Sequence, residues 1–150
     1  MGKKGKKIIT GVIGYDIHYG GNVILQYALR HAGFEVISLG TQVSQKDFID
    51  AAKETAADAI LVSSLYGHGE MDCQGFGGAC KEAGLNIPLY AGGNLQVGAD
   101  QQRRTKWEEV ERKFKDMGFT RVYPASISLD KVVEDLSKDL GMESFSDPIS

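Results

Sequence analysis

"KIITGVIGYDIHYGGNVILQYALRHAG", Lys7 to Gly33, decides the fold. Its first third, Lys7 to Gly14, is short, β-branched and bounded by glycine, the pattern of a buried strand. Its last third, Asn22 to Gly33, carries Val23, Leu25, Tyr27 and Leu29 among good helix formers, with Asn22 as a candidate N-cap and Gly33 as a C-terminal stop. Between them lies a glycine-rich loop with an aspartate and a histidine two residues apart. A buried strand that passes through a polar loop into a helix is half of a strand–helix–strand unit with parallel strands.

The unit repeats along the chain. "FEVISLG" (Phe34 to Gly40) reads as the second strand. Ser44 with Asp47 is a variant of the capping box and opens a second helix. "DAILVSSL" (Asp58 to Leu65) is an apolar third strand. "MDCQGFGGACKEAG" is a third helix weakened by Gly75, Gly77 and Gly78, each costing about 1 kcal/mol against alanine in a helix interior, so part of it is expected to be irregular. "NIPLYAGG" (Asn86 to Gly93) is the fourth strand, with Pro88 suited to its start or to a sheet edge. Thr105 and Glu108 form a second capping box for a helix that stops at Gly118. "FTRVYPA" is the fifth strand, and Ser128 to Gly141 is a last amphipathic helix. Strands alternating with helices imply a parallel sheet covered on both faces. The expectation is an α/β, doubly wound, five-stranded sheet of flavodoxin or Rossmann type with strand order 2-1-3-4-5.

The 150 residues suit one domain, 1–150, with a basic, frayed start at 1–7 and a loose tail at 142–150. Four lysines crowd into "MGKKGKK", yet the chain holds 17 Lys and Arg against 20 Asp and Glu. That balance argues against nucleic acid as a partner. No apolar run approaches the ~20 residues of a membrane span, and no signal-peptide core follows the lysines. A cytoplasmic location is expected, with Cys73 and Cys80 as reduced thiols that act as small buried hydrophobes.

In an open parallel sheet with this order, ligands bind beyond the carboxyl ends of the strands, where the order reverses between strands one and three. Three unusual loops converge there: "YDIHYGG" after strand one, "SSLYGHGE" after strand three and "AGGNLQVG" after strand four. A carboxylate beside a histidine orients a metal-ligating imidazole by accepting one ring N–H. The same pair serves equally as a general base and its orienting partner. An idle surface loop with a turn-forming Asp carries the same letters. Gly92-Gly93-Asn94 alone is ordinary turn chemistry. His68 suits a solvent-exposed rim, His31 a helix C-terminus, Tyr66 and Tyr90 either a ligand or the core edge, and Trp107 a packed or partner-facing position.

Taken together, Asp16-Ile17-His18-Tyr19-Gly20-Gly21, Ser63-Ser64-Leu65 and Gly92-Gly93 resemble the D-x-H-x-x-G, S-x-L and G-G signature of the cobalamin-binding domain family. The runs "ADAILVSSLYGHGEMDC", "YAGGN", "VERKFKDMGFTRVY" and "DLSKDLG" are similar to the small, cobalamin-binding subunits of glutamate mutase (methylaspartate mutase), over about Ile8 to Gly141. The resemblance implies base-off binding of adenosylcobalamin, with His18 on cobalt in place of the cofactor's own base and Asp16 hydrogen-bonded to the other ring nitrogen. It implies a cofactor site of Tyr15, Asp16, Ile17, His18, Tyr19 and Gly21, then Ser63, Ser64 and Leu65, then Gly92, Gly93, Asn94, Leu95, Gln96 and Val97. Ser63 and Leu65 would line the cofactor's nucleotide tail, and Gly92, Gly93 and Asn94 would let tail and phosphate approach the backbone.

The implied reaction is a radical isomerisation of glutamate to 3-methylaspartate, begun by a 5'-deoxyadenosyl radical. The substrate would sit in a larger barrel subunit, in a heterotetramer of two small and two large chains, so this chain is expected to be inactive alone. A methylcobalamin or corrinoid carrier for a methyltransferase shares these loops but usually brings a helical capping domain. A cofactor-free scaffold is a third reading; its receiver variant wants an acidic cluster after strand one and a lysine after strand five, where this chain has "YPAS". Two stretches depart from the glutamate mutase pattern: "ADQQRRTKW" after Gly98 is longer and more charged, and "QGFGGAC" is richer in glycine.

Overall fold

The computed structural model describes residues 5–14, 20–64, 69–93, 107–124 and 127–142. Five strands, β1 (Lys7–Val12), β2 (Glu35–Ser38), β3 (Ala59–Ser64), β4 (Leu89–Gly93) and β5 (Arg121–Tyr123), form one parallel sheet in the order β2-β1-β3-β4-β5. The expected strand order is the observed one. Helices α1 (Gly20–His31), α2 (Gln45–Thr55), α3 (Gly69–Asp72), α4 (Phe76–Glu82) and α5 (Trp107–Asp116) lie in the crossovers, and α6 (Leu129–Asp139) follows the last strand.

Period-two alternation along each strand divides the core between the two faces. Ile9, Ile60, Val62, Leu89, Ala91 and Val122 pack with Phe48, Phe76 and Phe114 of α2, α4 and α5. Ile8, Ala59, Leu61, Tyr90 and Tyr123 pack with Leu25 and Leu29 of α1 and Val132 and Leu136 of α6. Strands buried on both faces need the near-continuous apolar runs seen in the sequence.

Local signals account for most element ends. Ser44 accepts from the Asp47 backbone N–H and Asp47 returns a contact to Ser44, so the capping box forms. Gly33 takes φ +101° just past α1, and the Phe34 N–H reaches back to Leu29. Pro88 sits one residue before β4, which is an interior strand, so its position at the strand start is the one realised. Thr105 and its cap lie outside the described residues.

The expected third helix is two pieces, broken at Gly75, which takes φ +77°. Gly77 has a steric reason. A Cβ there would collide with the Met117 carbonyl and lie 2.8 Å from Gly118 Cα, and its N–H donates to Met117 at 2.9 Å. Close docking of α4 on the end of α5 therefore replaces the propensity that the glycines cost. Gly78 faces open space and has no such reason. Cys73 and Cys80 are free and buried, and burial pushes their thiols up to about 12 and about 11, which suits inert hydrophobic roles. Among the described residues, no helix is long and apolar enough to cross a membrane.

Candidate functional site

Strand order reverses at β1, so the crevice of the fold opens at the carboxyl ends of β1 and β3. In register, Val12 lies beside Ser63 and Ser63 beside Gly92, which places the starts of the second and third signature loops on adjacent strands beside the end of β1. Tyr15, Asp16, Ile17, His18 and Tyr19, with Leu65, Asn94, Leu95, Gln96 and Val97, lie outside the described residues, as do Tyr66 and His68. Gly20 and Gly21 form the first turn of α1.

Alternation separates the two serines. Ser63 follows Leu61 on the α1 and α6 side, whereas Ser64 follows Val62 toward α2, α4 and α5. On the α1 side the crevice floor is Thr10, Ser63 and Gly92, with Tyr123 beside Gly92. The two glycines differ in kind. Gly93 has φ +102°, and a Cβ on it would strike the Ser64 carbonyl; β3 and β4 approach so closely that no side chain fits. Among the described residues, a Cβ on Gly92 would meet only Tyr123, its Cβ at 3.6 Å and its carbonyl oxygen at 3.9 Å, both ordinary contacts. The packing of the described residues does not demand glycine at 92, and none of them fills the space beside it.

Asn22 is not an N-cap. It is the third residue of α1, 1% exposed, and its amide donates to Ser63 Oγ at 2.7 Å and Thr10 Oγ1 at 3.2 Å. Gln26, also buried, donates to Asn22 Oδ1 at 2.7 Å and to Ser38 Oγ at 3.2 Å. These residues were absent from the sequence-derived site, although a signal existed. Positions 22, 25, 26 and 29 share one helix face, so two amides lie on the stripe that Leu25 and Leu29 bury. Tyr27, counted among the apolar residues of this helix, instead points to solvent, as does Ile24.

Beyond Gly92, buried Asp135 accepts from the Tyr123 hydroxyl at 2.9 Å and pairs with Lys131 at 3.1 Å. Burial, then the bond to Asp135, raises the Tyr123 phenol far above its usual range. It is a neutral donor at neutral pH. Tyr90 belongs to the core, with its hydroxyl on Asp139, and Arg121 grips Asp139 through two nitrogens at 2.7 and 2.9 Å. Trp107 is half-buried against the α2, α4 and α5 core, and His31 ends α1 on the surface. Gly14, where β1 gives way to the first loop, lies against the Asp72 carboxylate. Among the described residues no group of three His, Cys, Asp or Glu side chains is placed to hold a metal. Among the described residues, the crevice offers the hydroxyls of Thr10 and Ser63 and the amide of Asn22, groups that can hydrogen-bond an organic ligand.

The sequence profile of the B12 binding domain matches residues 6–110. The chain belongs to the B12-binding domain family. Within it, the chain is 52% identical over 136 residues to the glutamate mutase sigma subunit of Carboxydothermus hydrogenoformans, covering 90% of this chain and 96% of that one. It is 50% identical over 139 residues to the glutamate mutase sigma subunit of Clostridium tetanomorphum, covering 92% and 98%. In three dimensions it resembles a cobalamin-binding protein from Desulfitobacterium hafniense DCB-2, with TM-score 0.72 at 22% identity, covering 90% of this chain and 59% of that chain.

Proposed function

We propose that this chain is the cobalamin-binding subunit of a glutamate mutase, a single domain that works only with a larger, substrate-binding partner. The observation that carries the reading is the crevice at the β1–β3 switch point, floored by Ser63 and the sterically unneeded Gly92, in a chain half identical to glutamate mutase sigma subunits over nearly its whole length.

In this reading His18 ligates cobalt, and Asp16 accepts the proton-bearing ring nitrogen of His18, fixing its tautomer and raising its basicity. The loop residues Tyr15 to Tyr19 and Asn94 to Val97 surround the corrin, and Gly21 admits the macrocycle at the start of α1. Ser63 and Leu65 line the nucleotide tail, and Gly92, Gly93 and Asn94 leave room for it. Adenosylcobalamin, when bound, supplies the carbon radical that starts the rearrangement of glutamate to 3-methylaspartate. The protein's own residues would anchor the cofactor and orient the His18 imidazole toward cobalt. The substrate sits on the partner, a barrel facing the corrin, in a heterotetramer of two small and two large chains in the cytoplasm.

The test is a visible-absorption titration with adenosylcobalamin, joined to electron spin resonance of the Co(II) form in protein carrying nitrogen-15 histidine. Hyperfine splitting from the labelled histidine is expected. Splitting from the cofactor's own base, or no spectral change with or without the partner, would overturn the reading.

A further inference from the structure

Arg30, Gln26 and Asn22 stand one turn apart on α1, and together they form a hydrogen-bond relay whose direction is set at one end. Arg30 carries only donors and points one nitrogen at Gln26 Oε1, at 3.5 Å, and another at the Val36 carbonyl, at 3.2 Å. Gln26 therefore turns its carbonyl oxygen to Arg30 and its NH₂ to Asn22 and Ser38. Asn22 in turn must present its oxygen to Gln26 and its NH₂ to the crevice, where the two N–H groups meet Thr10 and Ser63. Every bond in the relay points the same way, so each polarises the next. Because Ser63 Oγ accepts at 2.7 Å from Asn22, the Ser63 hydroxyl hydrogen is turned toward another acceptor.

We propose that Asn22 is a specificity-determining positioning residue: it makes Ser63 a hydrogen-bond donor into the crevice, which then selects a corrinoid whose tail presents an acceptor, such as a heteroaromatic nitrogen. This rests on the cobalamin reading above and extends it to α1. The relay also explains why two amides occupy the buried stripe of α1, where leucine would pack at lower desolvation cost.

The test compares adenosylcobalamin with adenosylcobinamide, which lacks the nucleotide tail, by absorption titration of the full chain. The parent should bind adenosylcobalamin more tightly. Asn22→Asp, an acceptor toward Ser63, should lose roughly tenfold in adenosylcobalamin affinity and keep its adenosylcobinamide affinity. Arg30→Met, a surface change that releases the direction of the relay without touching the crevice, should lose roughly threefold for adenosylcobalamin alone. It decides the matter if thermal melting shows Asn22→Asp to be misfolded. A parent that prefers adenosylcobalamin, with variants that bind both corrinoids as it does or lose both equally, would overturn the role of Asn22. A parent that binds both corrinoids alike overturns that role as well, whereas a parent that binds neither, with or without the partner, overturns the functional reading on which it stands.

Discussion

Gly92 and Gly93 are adjacent and chemically identical, and replacing each with alanine should have opposite consequences. At Gly93 the backbone sits at φ +102°, and the added Cβ points into the Ser64 carbonyl of the neighbouring strand. The unfavourable dihedral costs about 1–2 kcal/mol, and forcing apart a close-packed contact costs about 1–3 kcal/mol more. The obstacle is backbone held in a parallel ladder, so no rotamer change relieves it. Gly93→Ala should lose about 2–5 kcal/mol, which for a chain of this size lowers the melting temperature by roughly 10 °C. At Gly92 the new methyl makes only ordinary contact with Tyr123, and restricting the unfolded chain stabilises by up to about 1 kcal/mol. Gly92→Ala should therefore melt at or slightly above the parent. Its methyl enters the space assigned to the cofactor tail, so adenosylcobalamin affinity should fall about 10–100-fold by overpacking. Differential scanning calorimetry without cofactor and absorption titration with it separate the two effects. A Gly92→Ala protein that melts as low as Gly93→Ala, or binds adenosylcobalamin like the parent, refutes the division of labour.

Gly77→Ala should cost about 2–4 kcal/mol, because its Cβ meets the backbone of Met117 and Gly118, whereas Gly78→Ala, in open space, should gain up to about 1 kcal/mol of helix propensity; urea denaturation of the pair checks both. The Asp139 carboxyl is held below its ordinary 3.8, chiefly by its hydrogen bond to Arg121. A depressed folded pKa means this stabilisation is fully present above about pH 4 and fades as pH falls through the folded value. Asp139→Asn should thus be less stable than the parent at pH 7, with the gap closing toward pH 2; a constant gap in acid denaturation counts against it. Cys73 and Cys80, with their thiols raised by burial, should resist a thiol reagent at pH 8 until the protein is unfolded, and prompt labelling of the native chain would contradict their burial. His18→Ala should abolish the histidine signature on Co(II), while Asp16→Asn should keep it and weaken corrinoid binding about 10–100-fold.

The sheet, its strand order and the place of the crevice were legible in the sequence because they follow from short-range rules. Apolar runs of strand length, capping residues such as Ser44 with Asp47, and the stop at Gly33 act within a few residues. Alternation of strand and helix then permits few topologies. The signature loops carried the resemblance to cobalamin-binding domains for the same reason: each is a contiguous motif. The break of the third helix at Gly75 was foreshadowed by its glycines, but the need for Gly77 appears only where α4 meets the end of α5. The different duties of Gly92 and Gly93 depend on how close β3 and β5 come to β4, which no local pattern records. Asn22 is the sharpest case. Its letter suits a cap, and its helical phase marks it as buried, yet its partners Thr10 and Ser63 lie 12 and 41 residues away. Sequence periodicity decides which face of an element is hidden, since that depends only on the geometry of one helix or strand. Which polar groups meet across the hidden face is decided only when the elements pack.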